Sequence, residues 1–267
     1  MSKVVLITGA SSGIGKSIAV FLSEKGYKVY GTSRNPIKSE KLPFELIALD
    51  VLKVDTITTA IDFIIKKEGR LDVLVNNAGM GITGPIEDTP TDKMRAVFNT
   101  NLFGTIDVMK AVLPQMRYQK AGTIINITSI AGYMGLPFRG LYSATKGALE
   151  TITEAASMEV KPFGIKVVNV APGDFATNIA AGRYHTPVFE TSAYKENYQV
   201  NLDLMDAHVE DGMDPVEMAK AVYKIINKKN PKIHYKVGAS LDKFSIVLKR
   251  ILPDLWFEKL MMNHYKL

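Results

Sequence analysis

Hydrophobic positions along this 267-residue chain follow two alternating patterns. Short, nearly unbroken apolar runs cover Val4 to Thr8, Lys28 to Thr32, Glu45 to Leu49, Val73 to Asn76, Thr123 to Thr128, Ile165 to Val170 and a stretch near His234 to Val237. Runs of this length suit strands buried on both faces. Longer segments between them place apolar residues at helical spacing. Gly13 to Lys25 carries Ile14, Ile18, Phe21 and Leu22 on one side and stops at Gly26, as helices often stop at glycine. Asp55 to Glu68 does the same with Ile57, Ile61, Ile64 and Ile65. Asp92 to Gln119 reads as one long helix kinked at Pro114, and Tyr142 to Phe163 and Asp214 to Asn227 as two more. Alternating strand and helix predicts parallel strands joined by right-handed crossovers. The expected fold is a single-domain α/β Rossmann fold, a doubly wound parallel sheet with helices on both faces. No proline- or glycine-rich linker divides residues 1–267.

The rhythm breaks after Val170. Residues 176–212, with Tyr184, Phe189, Tyr194 and Tyr198, are expected to form a substrate-binding loop. Residues 241–267 form an amphipathic tail, with Leu241, Phe244, Val247, Leu248, Ile251 and Leu252 at helical spacing and Lys243, Lys249 and Arg250 between them. Trp256, Phe257 and Leu260 follow. From Lys228 onward nine Lys/Arg face three Asp/Glu, which accounts for the net charge of +6. Such a tail either lies on an anionic membrane surface or docks on the sheet or on a subunit partner.

Composition removes several classes of chemistry. The chain has no cysteine, which excludes disulfides, thiolate catalysis and cysteine-ligated metals. His185, His208, His234 and His264 have no metal-ligand spacing, so no metal is expected. Nucleic-acid signatures are missing, so no nucleic-acid partner is expected despite the basic balance. No apolar run has the length of a membrane span or a signal-peptide core, so a cytoplasmic protein is expected.

The first strand ends in a glycine turn, Gly9-Ala10-Ser11-Ser12-Gly13-Ile14-Gly15. Glycines at this place let the backbone turn tightly and approach a pyrophosphate, which the next helix meets with free N–H groups and its positive dipole end. Further on, Asn76-Asn77-Ala78-Gly79 follows the fourth strand, Ser129 the fifth, and Pro172-Gly173 the sixth, with Thr177 beyond. Tyr142 and Lys146 sit four residues apart on a predicted helix and so share a face. A lysine cation there favours the phenolate and lowers the tyrosine pKa, which suits proton transfer to or from a substrate oxygen. Ser129 can donate a hydrogen bond to that oxygen as charge develops on it.

From about Val4 to Thr177 this set resembles the short-chain dehydrogenase/reductase superfamily. Ser33 to Pro36, Asn76 to Gly84 and Pro162 to Ile165 resemble its hydroxysteroid and retinol dehydrogenase branch. The resemblance implies an oxidoreductase that moves a hydride between nicotinamide and a carbonyl or alcohol. It also implies that Lys146 holds the nicotinamide ribose and that Asn101 anchors a water in a proton relay, with Asn99 structural. The implied cofactor set adds Asn77, Ala78, Gly79, Pro172, Gly173 and Thr177 to the glycine turn. NAD-specific relatives carry an aspartate where this chain has Ser33, and the next residue is Arg34, whose guanidinium suits a phosphate. NADP(H) is therefore expected over NAD(H), although Ser12 stands where some NADP-dependent relatives carry a basic residue. Asp50 and Val51 match the adenine contact, or else Asp50 caps the following turn. Met134, Leu136, Pro137 and Phe138 suggest apolar walls suited to lipid-like, steroid-like or aromatic ketones. Arg139 either reads an acidic substrate group or is simply exposed. Relatives pair through their two long helices, so a homodimer or homotetramer is expected. The rival reading is a catalytically silent NADP(H)-sensing protein on the same fold.

Overall fold

The computed structural model describes residues 2–36, 41–175, 182–210 and 212–267, the side chains of 206–210 excepted. In chain order the elements are β1 (Val4–Ile7), α1 (Gly13–Glu24), β2 (Lys28–Ser33), β3 (Glu45–Ala48), α2 (Val54–Glu68), β4 (Val73–Asn76) and β5 (Ile82–Thr83). Then come α3 (Thr91–Phe98), a π-helical turn (Asn99–Phe103), α4 (Gly104–Gln119), β6 (Gly122–Ile127), a 3-10 turn (Ile130–Tyr133), α5 (Gly140–Val160) and β7 (Ile165–Pro172). The chain closes with β8 (Tyr184–His185), α6 (Lys195–Glu210), α7 (Val216–Ile226), β9 (His234–Val237), α8 (Ser240–Ile251) and α9 (Asp254–Tyr265).

Seven strands form one parallel sheet in the order β3-β2-β1-β4-β6-β7-β9. The order reverses between β1 and β4, and ligands of open α/β sheets bind outside the strand ends at such a point. Each strand presents side chains to both faces, so two cores form. Leu6, Leu74 and Ile124 pack with Ile57, Ile61, Ile64, Val108 and Val112 of α2 and α4 on one side. Val5, Ile7, Val75 and Ile125 pack with Ile18, Leu22, Met218 and Val222 of α1 and α7 on the other. A third cluster, Ile130, Met134, Ala171, Ile246 and Phe257, seats the tail helices against the end of β7.

Three differences from the sequence expectation matter. The long helix expected over Asp92 to Gln119 is interrupted, not at Pro114, which stays inside α4, but by the π-helical turn at Asn99–Phe103. Such turns hold one residue more than an α-turn and occur often at functional sites. Second, residues 176–212, expected as a loop, include β8 and α6 among the described residues. Third, Tyr198 of α6 is buried core, its hydroxyl donating to the Thr83 carbonyl at 3.0 Å.

A polar line crosses the first core. Asn126 of β6, fully buried, accepts from Asn76 Nδ2 at 2.9 Å and donates to Thr153 Oγ1 of α5 at 2.8 Å. Removing one member strands the others in an apolar setting. Asn126→Ala is expected to cost about 1–3 kcal/mol, read as a lower urea midpoint at unchanged m-value.

Candidate active site

The glycine turn is held by its neighbour strand. Asn77, just past β4, donates from Nδ2 to the carbonyls of Thr8 and Gly9, both at 3.0 Å. In return the Thr8 hydroxyl accepts from the backbone amides of Asn77 and Ala78, both at 3.0 Å. A Cβ on Gly15 would come within 2.3 Å of the Gly9 carbonyl oxygen, so helix and turn meet closer than any side chain allows. Gly9 itself has φ +68°, a left-handed conformation natural only to glycine, and rests on Ala78.

The first turn of α1 opens at this place. Ser12, the residue before it, makes no side-chain cap, and no acidic residue stands in the turn. Ser11 and Ser12 are exposed, and Gly13 and Ile14 are partly so. Unsatisfied helix N–H groups facing an uncapped, uncharged approach can receive a pyrophosphate. Ser33 and Arg34 lie at the end of β2, and Asp50 and Val51 just beyond β3, which pairs with β2 in register Ser33 to Ala48. Arg34 is exposed there. The Asp50 carboxylate accepts from the Leu52 amide at 3.0 Å, so it does close the following turn. Val51 packs against Gly104, where a Cβ would lie 2.9 Å from it.

Asn101 sits in the π-helical turn and is buried. Its Oδ1 accepts from the Met80 amide at 2.8 Å, and its Nδ2 donates to the Met80 carbonyl at 2.9 Å and to Thr145 Oγ1 at 3.2 Å. The carboxamide is thus spent on bracing Met80, in the segment between β4 and β5, against α5. Asn99 is exposed. A Cβ on Gly79 would lie 3.1 Å from Asn101 Oδ1 and 3.7 Å from Lys146 Nζ, so these three residues meet.

Tyr142 occupies the first turn of α5, and Lys146 follows one turn on. Ser129, after β6, accepts from the Ala131 amide at 3.1 Å and hydrogen-bonds the Tyr142 phenol. Lys146 Nζ donates to the Ile127 carbonyl at 2.9 Å and lies 5.8 Å from the centre of the Tyr142 ring. The electrostatics depart from the sequence expectation. Burial pushes the Tyr142 phenol up, and the Ser129 hydrogen bond with the Arg139 and Arg183 charges offsets only part of that. Among the charges that favour a phenolate are those of these two arginines. Burial pushes the Lys146 ammonium down to about 8, against an upward pull from Glu150.

Ser129 and Tyr142 open into a cavity of about 460 Å³, which Lys146 and Asn101 do not line. Ile14, Ser129, Tyr142, Pro172 and Gly173 line it, so the turn after β7 and the catalytic candidates share a wall. Met134 and Leu136 line it as well, whereas Phe138 instead packs at a tilt against Tyr198, ring centres 5.3 Å apart. From the stretch after Pro172 come Phe175, Arg183, Gly212 and Met213, not the tyrosines. Thr177 lies outside the described residues. Arg139 is half-buried and lines the cavity, its guanidinium donating to the Tyr265 hydroxyl. Sequence reasoning also missed the outer wall, which α8 and α9 supply through Leu241, Leu248, Leu260, Met261 and Tyr265.

Glu150 is the second residue missed. It is buried one turn beyond Lys146 and accepts from Thr128 Oγ1, from Tyr133 OH at 2.9 Å and from Asn169 Nδ2 at 3.0 Å. His234 Nδ1 lies 2.8 Å from it. The signal was present in the spacing, because Tyr142, Lys146 and Glu150 repeat every four residues on one helix face.

Comparison with known proteins agrees with this geometry. Residues 3–187 match the model of the short chain dehydrogenase family. The chain is 42% identical over 254 residues to a 3-ketodihydrosphingosine reductase of Bacteroides thetaiotaomicron, covering 94% of each. It is 34% identical to the uncharacterized oxidoreductase YusZ of Bacillus subtilis, again over 94% of each chain. Among solved structures, a short-chain dehydrogenase from Streptomyces avermitilis superposes with a TM-score of 0.85 at 31% identity, over 100% of this chain and 97% of that one. ElxO with NADP bound gives 0.71 at 32% identity, over 89% and 97%.

The Lys146 shift sets a pH dependence. Lysine is charged below its pKa, so the ammonium is present below about pH 8 and lost above it. kcat/KM is expected to fall as pH rises through that value. Glu150→Gln removes the group that raises the pKa, so in a pH–rate profile the fall should begin at lower pH than in the wild type.

Proposed function

The chain belongs to the short-chain dehydrogenase family, and from that premise we propose that it uses NADPH to reduce a long-chain, lipid-like ketone. It is an oxidoreductase of the carbonyl and CH–OH pair. The observation that carries the finer reading is the meeting of Ser129, Tyr142 and the turn after β7 in one largely apolar cavity.

Bound NADPH supplies the hydride. Gly9 to Gly15 and the first turn of α1 bind its pyrophosphate, with Asn77, Ala78 and Gly79 forming the wall beside it. Lys146 holds the nicotinamide ribose hydroxyls on the family pattern. Tyr142 gives its proton to the carbonyl oxygen as negative charge builds there, and Ser129 donates a hydrogen bond to the same oxygen. The upward shift of Tyr142 suits this direction, because a phenol that stays protonated at neutral pH is ready to donate. Arg139 and Arg183 then stabilise the phenolate left behind. Asn101 acts by bracing Met80 and Thr145 and so keeps Lys146 in register.

Two features support NADP(H). Arg34 is exposed beyond the strand end where the adenosine ribose binds in Rossmann folds, and Ser33 leaves that place without a carboxylate. ElxO, 32% identical, is described with NADP bound. The substrate class is supported by Met134, Leu136, Phe175, Leu248 and Leu260 around the cavity, and by the name of the Bacteroides relative. A homo-oligomer joined through α4 and α5 is part of the same reading, since Tyr118, Ile152 and Met158 leave apolar surface exposed on those helices.

The test is NADPH oxidation with 3-ketodihydrosphingosine and shorter ketones. Tyr142→Phe is expected to lower kcat by about 10²–10⁴-fold while NADPH affinity stays within error. Undiminished turnover in that variant would remove Tyr142 from the reaction, and tight NADPH binding without turnover on any ketone would favour the sensor reading. Arg34→Ala is expected to raise the KM for NADPH about tenfold or more and leave that for NADH nearly unchanged, as loss of a charge-assisted phosphate contact requires. Equal losses with both cofactors would return Arg34 to the solvated surface.

A further inference from the structure

Helices α8 and α9 keep much of their apolar surface outside. On α8, Phe244 is 52% exposed, and Val247 and Ile251 stand open one turn apart on the same side. On α9, Leu255 is 77% and Trp256 69% exposed, with Met262 also open. A helix that needs only to dock on the sheet buries its apolar stripe, as α8 does with Ile246 and α9 with Phe257. The second stripe has no such use in the monomer. Lys243 and Arg250 flank it on α8, Lys259 shares the Leu255 side of α9, and Lys266 stands just past the end of that helix.

This surface is continuous with the cavity. Leu241 and Leu260 are exposed and also line the cavity, so the open stripe runs over the rim and into the site. No described helix is long and apolar enough to cross a membrane. An apolar stripe edged by lysine and arginine, with a tryptophan at its margin, has the chemistry of an interfacial surface that meets anionic headgroups and sinks shallowly among acyl chains.

We propose that the exposed faces of α8 and α9 dock on an anionic lipid bilayer and set the cavity mouth against it. A long-chain substrate then passes from the membrane over Leu241 and Leu260 to Tyr142 without crossing water. The inference takes its substrate from the reading above, but the docking itself is measured without substrate, so the two fail separately.

Trp256 is the only tryptophan in the chain, which makes it a built-in reporter. The experiment adds the full-length protein to vesicles of phosphatidylcholine and phosphatidylglycerol in equal parts, and to phosphatidylcholine alone. Expected are co-sedimentation with the anionic vesicles, a blue shift of Trp256 emission, and weakening of both by salt. Phe244→Glu with Leu255→Glu keeps the reporter and touches no cavity residue. It should lower vesicle affinity about tenfold or more while NADPH binding and circular dichroism are unchanged. No shift with either vesicle overturns the proposal, as does undiminished binding of the double variant. A blue shift that follows protein concentration in the absence of lipid also overturns it, and assigns the face to a second copy of this chain.

Discussion

The active-site end of this sheet depends on the exchange of hydrogen bonds between Thr8 and Asn77. The carboxamide of Asn77 takes two carbonyls of the glycine turn, and the Thr8 hydroxyl takes two amides beyond β4. Four bonds therefore tie the ends of β1 and β4 at the point where the strand order reverses. Close contact of Gly15 with Gly9 and of Gly9 with Ala78 becomes possible only because the two segments are held at that distance. The position of α1, and with it the direction of its free N–H groups, follows from this tie.

Helix α5 extends the same economy into the interior. Its inner face carries Thr145, Lys146, Glu150 and Thr153, all buried, where an ordinary core helix would carry leucine or valine. Each polar group has a partner: Asn101 for Thr145, the Ile127 carbonyl for Lys146, Thr128 with Tyr133 and Asn169 for Glu150, and Asn126 for Thr153. A buried charge without partners is costly, so Lys146 and Glu150 are tolerable only within this connected set. The set also fixes the helix in register against β6 and β7, which places Tyr142 at the cavity rather than beside it.

The parallel sheet and its helices were legible because short unbroken apolar runs and period-3.6 patterns report burial directly, and all seven expected strands joined one sheet. The glycine turn, Ser129 and the Tyr142–Lys146 pair stood out by an order and spacing that resemble the family's, and the structure sets Ser129 and Tyr142 on one cavity. The π-helical turn was not, since one extra residue in a helix leaves the amphipathic pattern almost unchanged. Arg139 stood open between a substrate-reading and an exposed residue until the fold brought Tyr265 beside it, and Arg183 was missed because a lone arginine in a sequence looks solvated. The role of the tail in closing the cavity depends on contacts between segments far apart in the chain. Gly173 against Asp242 and Arg139 against Tyr265 are of this kind, and no local pattern reports them.

The family match ends at residue 187, while α8 and α9 begin at Ser240. The segment that transfers hydride and proton and the segment that closes the outer side of the cavity are therefore separate lengths of chain. They meet where Ile130, Met134 and Ala171 pack with Ile246 and Phe257, and at Arg139 with Tyr265 and Gly173 with Asp242. Mutation can reshape the tail without disturbing the polar set around Lys146. A fold arranged in this way can acquire new substrates by drift in its last helices while its chemistry stays fixed, much as a lock is rekeyed without replacing the bolt.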